Sequence, residues 1–131
     1  MINIFSNKII ITLVLVFASN IVFGCSLHSN NSITRISAQQ AYEMMNELDD
    51  FVLIDARTIG EFNQQRIAGA ISIPYDEINK RTDGLPYFDT VILVYCQGGR
   101  RSAIAANTLA ELGFINIYDF GGIISWPFAT I

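Results

Sequence analysis

Thr90-Val91-Ile92-Leu93-Val94-Tyr95-Cys96-Gln97-Gly98-Gly99-Arg100-Arg101-Ser102 decides the fold. Thr90 to Tyr95 is the most β-branched run in the chain and is apolar at nearly every position, as a strand covered on both faces must be, so it is a central strand. Gln97-Gly98-Gly99 breaks that pattern. Arg101 to Leu112 is Ala-rich and helical, and Gly113 supplies a left-handed C-cap. Cys96 therefore stands at the carboxyl end of a central strand and at the start of a helix, which is where parallel α/β sheets place their ligands.

Working outward from this stretch, strands and helices alternate. Ile36-Ser37-Ala38-Gln39-Gln40 carries a capping box, Ser37 with Gln40 three residues on, and Ile36 and Ala41 can staple the cap. Ala41, Met44, Met45 and Leu48 then recur at helical spacing, so Ser37 to Leu48 is a helix with one buried face. Phe51 to Asp55 reads as a buried strand. Thr58 and Glu61 repeat the capping signature and open a helix to Gln65. Ile71 to Ile73 is a short strand, Tyr75 to Arg81 a helical turn and Thr82 to Asp89 a loop. Asn116 to Tyr118 is a last short strand before a Gly121-Gly122 turn. The fold class is α/β: a three-layer arrangement of about five parallel strands with helices on both faces.

The chain has 131 residues, which suits one domain and a short appendage. Eight Lys and Arg against twelve Asp and Glu leave a formal charge of -4. Without a basic stripe interleaved with aromatics, nucleic acid is excluded as a partner. The apolar excess lies at the N-terminus. Met1 to Lys8 carries one positive charge, and Ile9 to Ala18 is unbroken apolar sequence, too short to span a bilayer alone, so residues 1–24 read as a signal peptide. Val22-Phe23-Gly24-Cys25 resembles the lipobox of bacterial lipoproteins, although Phe23 is bulkier than that pattern usually holds. The resemblance implies lipidation at Cys25, a flexible spacer over residues 25–32, a domain over 33–131, and an exported protein anchored to a membrane. A secreted form and an uncleaved signal anchor are the alternatives.

With Cys25 committed to lipid, Cys96 has no partner for an internal disulfide. Paired glycines let the backbone curl so that several N–H groups point inward, and the helix N-terminus adds its positive end. Such a setting, with Arg100 and Arg101 nearby, favours a thiolate at Cys96. The plainer reading is a strand-end cysteine packed as a small hydrophobe. The sole histidine, His28, lies in the spacer, so neither a Cys-His dyad nor a metal shell can form from this composition.

Four stretches now resemble the single-domain rhodaneses, which are thiosulfate or persulfide sulfurtransferases. Asp55-Ala56-Arg57-Thr58-Ile59-Gly60-Glu61-Phe62 is similar to that family's D-x-R-x-x-x-E-[FY] segment, and Ile67 to Pro74 to its I-x-G-A-x-x-I-P. Cys96 to Ser102 resembles its C-x-x-G-x-R-S loop, and Gly121 to Trp126 its closing G-G-x-x-x-W. Gln65-Arg66 stands where the family commonly has Gly-His, a histidine that is generally structural, and little chain follows Trp126 where a terminal helix is usual.

The resemblance implies that Cys96 takes a sulfane sulfur from an anionic donor and passes it to a thiol or to cyanide, with no cofactor. Gln97, Gly98, Gly99, Arg100, Arg101 and Ser102 would form the cradle, Arg101 bracing it and Arg100 attracting the donor. Four residues lie between Cys96 and Arg101, one fewer than in the related phosphatases and arsenate reductases, so the cradle suits one sulfur rather than a tetrahedral oxyanion. A sulfur carrier or sensor without turnover is the other reading. Asp55 either bonds loop amides or is satisfied by its own turn. Glu61 is accounted for by its cap, Arg57 to Glu61 is an i,i+4 pair, and Trp126 belongs to the core.

Overall fold

Five parallel strands form a single sheet in the order β1-β5-β4-β2-β3. They are β1 (Ile33–Arg35), β2 (Val52–Asp55), β3 (Ile71–Ser72), β4 (Val91–Cys96) and β5 (Asn116–Gly122). The helices are α1 (Ala38–Glu47), α2 (Ile59–Gln64), α3 (Ile78–Arg81) and α4 (Arg100–Glu111). The computed structural model describes residues 32–131; the leader, Cys25 and the rest of the spacer up to Asn31 lie outside the described residues.

β4 shows why the sheet sits between two layers. Ile92, Val94 and Cys96 point to one face and pack with Ala105, Ala106 and Leu109 of α4 and with Ile78 of α3. Leu93 and Tyr95 point to the other face and meet Ala41 of α1, Ile67 and Phe120. A strand buried on both sides needs apolar residues in both phases of its alternation, and Val91 to Cys96 has them. The small side chains of Ala105 and Ala106 let α4 approach closely.

Both capping boxes are formed. The Ser37 hydroxyl accepts from the Gln40 N–H at 3.1 Å, and the Gln40 carbonyl oxygen of the side chain accepts from the Ser37 N–H at 2.9 Å. Thr58 and Glu61 make the same exchange. Gly113 takes φ +100° just past α4, and the Phe114 N–H reaches back to the Leu109 carbonyl at 3.1 Å.

The last strand departs from the sequence reading. It does not stop at Tyr118 but continues to Gly122, pairing Asp119 with Val94 and Gly122 with Cys96. Gly121 is not the centre of a chain-reversing turn. With φ +83°, and its N–H held by the Asp119 carboxylate at 3.0 Å, it makes an irregularity that keeps the strand beside β4 up to the cysteine. The three-residue β1, which had no segment of its own in the sequence reading, adds an edge against β5.

Candidate active site

Cys96 closes β4 with only 1% of its surface exposed. Three residues later the chain turns through Gly99, whose φ of +97° is open to glycine at little cost, and α4 begins. The turn brings the Gly99 N–H to 3.0 Å from the Cys96 Sγ, so a backbone donor already faces the sulfur. The first-turn N–H groups of Arg100, Arg101 and Ser102 follow, and donors in that position have no carbonyl of their own helix to bind.

The curl is held from behind. Buried Ser102 places its Oγ 3.0 Å from the Gly99 carbonyl and 3.3 Å from that of Gly121, donating to one at a time. The Ile124 N–H donates to the Gln97 carbonyl at 3.3 Å. Gly122 lies so close that a methyl group on its Cα would collide with the Gln97 carbonyl oxygen and come within 2.8 Å of the Gly98 Cα. The glycine pair of the last strand is thus the floor on which the cysteine loop rests.

Arg101 turns away from the cradle toward α2. Its two terminal nitrogens donate to the two Glu61 carboxylate oxygens, each at 2.7 Å, while Thr58 adds its N–H at 3.0 Å and its hydroxyl at 2.8 Å. The Arg101 hydrogen bonds, assisted by Thr58, hold the Glu61 carboxyl down at about 2. Capping alone therefore does not account for Glu61: the same carboxylate caps α2 and fixes the arginine of the cysteine loop.

Asp55 and Arg57 form a second, buried pair. The Arg57 Nη2 lies 2.7 Å from the Asp55 Oδ2, with side chains 3% and 0% exposed, and the Asp55 Oδ1 also accepts the Arg57 N–H at 2.9 Å. Of the two roles open to Asp55, the own-turn bond is present, and the carboxylate serves Arg57 rather than the loop amides. Nor does Arg57 pair with Glu61 across one helical turn. Arg57 lies before α2, and its guanidinium runs back to Asp55, donates to the Gln65 carbonyl, and reaches the Gln97 Oε1 at 3.3 Å. Arg57, Glu61, Gln64, Gln65, Gln97 and Ile131 line an open polar cleft of about 560 Å³ beside the cysteine loop.

Residues Gln65 and Arg66 have work of their own. The Arg66 N–H and carbonyl pair with those of Ile131 at 2.8 and 2.9 Å, and the Gln65 Nε2 donates to the Thr130 hydroxyl at 2.9 Å, so the C-terminal segment forms one wall of the cleft. Trp126 is half-buried in the core cluster that contains Phe120, with Phe128 edge-on to it.

The rhodanese-like domain model matches residues 37–127. The chain belongs to the rhodanese-like domain family. The thiosulfate sulfurtransferase GlpE of Glaesserella parasuis is 35% identical over 96 residues, covering 72% of this chain and 87% of that one. PspE of Escherichia coli, also named a thiosulfate sulfurtransferase, is 34% identical over 71 residues, covering 53% of this chain and 68% of that one. The putative sulfur carrier protein YrkF of Bacillus subtilis is 32% identical over 106 residues, which span 80% of this chain but only 57% of that relative. Among solved structures, a rhodanese-related protein of Thermoplasma volcanium superposes with TM-score 0.64 at 29% identity, covering 74% of this chain and 96% of that one. A rhodanese with anions from E. coli gives TM-score 0.57 at 30% identity, covering 61% of this chain and 95% of that one.

Within this rhodanese-like domain the cysteine loop occupies the carboxyl end of β4, and β2 and β5 bring Asp55, Arg57 and the two glycines to the same end of the sheet. Arg57 and Glu61 were not among the candidate site residues read from the sequence. Their signal was the D-x-R-x-x-x-E spacing, in which two polar networks, rather than one helical pair, are folded into seven residues.

Proposed function

We propose that this protein is a sulfurtransferase that carries a sulfane sulfur on Cys96. The observation that supports this reading most strongly is the Gly99 N–H at 3.0 Å from a cysteine sulfur at a helix N-terminus. With thiosulfate as donor, the Cys96 thiolate attacks the outer sulfur. The donor S–S bond breaks, sulfite leaves with the electron pair, and Cys96 becomes a persulfide. Cyanide or a thiolate then attacks the outer sulfur, thiocyanate or a new persulfide departs, and the Cys96 thiolate returns. Negative charge passes off the Cys96 sulfur and back onto it in these steps, so preorganised N–H donors beside it are the stabilisation the reaction needs. Cofactor chemistry has no place in this series of steps. The donor approaches through the cleft beside Arg57 and Gln97, and exposed Arg100 draws it in.

Incubating the protein with thiosulfate is expected to add the mass of one sulfur to Cys96, and cyanide is expected to release it as thiocyanate. An unmodified thiol under both conditions ends this reading. The name of the Bacillus subtilis relative favours a second one, a sulfur carrier that loads readily and surrenders its sulfur to a partner. Fast loading with slow release to every small acceptor distinguishes it.

The placement we propose is the cell envelope of a bacterium, with residues 1–24 removed and a lipid on Cys25. A fatty-acid analogue fed to the producing cells is expected to label wild type and not Cys25→Ser. An unlabelled wild type would leave the secreted or signal-anchored forms.

A further inference from the structure

In a parallel sheet everything that precedes a strand lies at one end and everything that follows lies at the other. Cys96 follows β4. At the opposite end the segment leading into β4 presents Tyr87, 73% exposed, and Phe88, 63% exposed. Leu112, at the close of α4, and Ile115, just before β5, are exposed beside them. Pro86 and Tyr87 separate two shallow apolar hollows of about 400 and 430 Å³, one reaching Leu112 and Phe114, the other Phe51 and Val52. Exposed apolar groups gathered this way, unlike single ones, mark a surface that something covers.

The chain enters the domain at this same end. The Ser32 carbonyl accepts from the Ile117 N–H at 2.9 Å, and two residues earlier the Ile115 N–H donates to the Phe88 carbonyl at 3.0 Å. The patch and the point of entry are therefore neighbours along β5. Seven residues, Ser26 to Ser32, separate the lipid site read from the sequence from β1, a path of eight Cα-to-Cα steps. Fully extended they reach at most about 28 Å, less than the roughly 33 Å breadth of a compact domain this size. A domain tied to a bilayer at Cys25 is never far from it, and the face nearest the tether is the apolar one.

We infer that Tyr87, Phe88, Leu112 and Ile115 rest on the lipid surface and that the Cys96 loop faces away from it. The inference rests on the proposed lipid anchor. A short tether holds the face at high effective concentration against the bilayer, so modest apolar burial suffices where it would not for a free domain. Tyrosine, with an apolar ring and a polar tip, suits the headgroup level. Asp50 and Asp89 line the second hollow, which favours neutral headgroups over anionic ones.

The test uses the full lipidated chain in phosphatidylcholine vesicles with brominated acyl chains. Trp126 is the sole tryptophan and packs on Phe120 beyond the far end of β5, so wild-type fluorescence is expected to be unquenched. Phe88→Trp adds an indole at an already exposed position, and the added fluorescence is expected to fall at least twofold. A chain that floats with the vesicles while its added indole stays unquenched overturns the docking and leaves the anchor standing. Equal quenching of both indoles overturns the orientation. Failure to float removes the anchor, and this inference with it.

Discussion

Arg101 and Glu61 are joined by two hydrogen bonds of 2.7 Å, one from each terminal nitrogen of the guanidinium to a different carboxylate oxygen. The bond connects the second residue of α4, one turn from the cysteine, to the capping residue of α2. It fixes the start of the helix that follows the cysteine loop. Glu61→Gln keeps the cap partly in place but offers Arg101 only one acceptor. The expected result is a roughly tenfold lower rate of sulfur transfer, because small misplacements of a reacting geometry are costly, with a melting temperature only a few degrees lower, the pair being partly exposed and worth about 1 kcal/mol. Steady-state kinetics beside a thermal melt check it. An unchanged rate would make the bond purely structural.

The same pair sets a pH dependence. The Arg101 hydrogen bonds, with those from Thr58, lower the Glu61 carboxyl from 4.5 to about 2 in the folded chain. A group depressed on folding stabilises fully above its unfolded value and loses that contribution as pH falls through the folded one. The gap in melting temperature between wild type and Glu61→Gln should therefore be constant above about pH 5 and close between pH 4.5 and 2. Melts at intervals of one pH unit would reveal it, and a gap as wide at pH 2.5 as at pH 6 contradicts the depressed carboxyl.

Arg57 is predicted to matter through what its removal strands. Asp55 is fully buried, and Arg57→Ala leaves its carboxylate with no cation. Breaking a buried pair from one side costs about 3–5 kcal/mol, enough to lower the melting temperature of a domain this size by more than ~10 °C. The double change Asp55→Ala with Arg57→Ala should cost less than the sum of the singles by at least about 1 kcal/mol. Additive losses in chemical denaturation would show that the two side chains act independently.

Much of the fold and part of the site are legible in the amino-acid sequence, because local signals carry them. The capping boxes at Ser37 and Thr58, the two-faced apolar run of β4 and the Gly113 stop each need only a few adjacent residues, and each is in the place the sequence assigns. Where sequence and structure part, long-range partners decide the outcome. Glu61 has two demands on one carboxylate, and only the nearer is visible in the sequence; Arg101 lies 40 residues away. Gly121-Gly122 looks like a turn because glycines usually make one, yet here closeness to Gln97 and pairing with Cys96 keep the chain in the strand. The use of Gln65 and Arg66 to fasten Thr130 and Ile131 has no short-range signature at all.

Gly122→Ala should be among the most damaging substitutions of one small residue for another. The new methyl would meet backbone on the Gln97 and Gly98 side, and backbone cannot swing aside as a side-chain tip can. Overpacking of this kind costs about 1–3 kcal/mol, and here the strain falls on the cysteine loop. Melting temperature is expected to drop by ~5–15 °C, and persulfide loading of Cys96 to fall more steeply than stability does. Gly60→Ala is the control, since a methyl there meets nothing within 4 Å. Equal behaviour of the two variants would show that the loop does not rest on β5.

Arg100 separates attraction from chemistry. It opens α4 exposed to solvent, one residue before the arginine that Glu61 holds, so its charge is free to act on an approaching anion. The protein as a whole is acidic, with a formal charge of -4, and would otherwise repel a doubly charged donor. Arg100→Ala should raise the apparent KM for thiosulfate by roughly threefold or more at low ionic strength, leave kcat within about twofold, and flatten the dependence on salt, because the steering it removes is what salt screens. With a neutral organic persulfide as donor the same variant should match wild type. Loss of activity toward charged and neutral donors alike would move Arg100 from steering into the structure of the loop, and an unchanged KM with salt sensitivity intact would place the donor's path elsewhere.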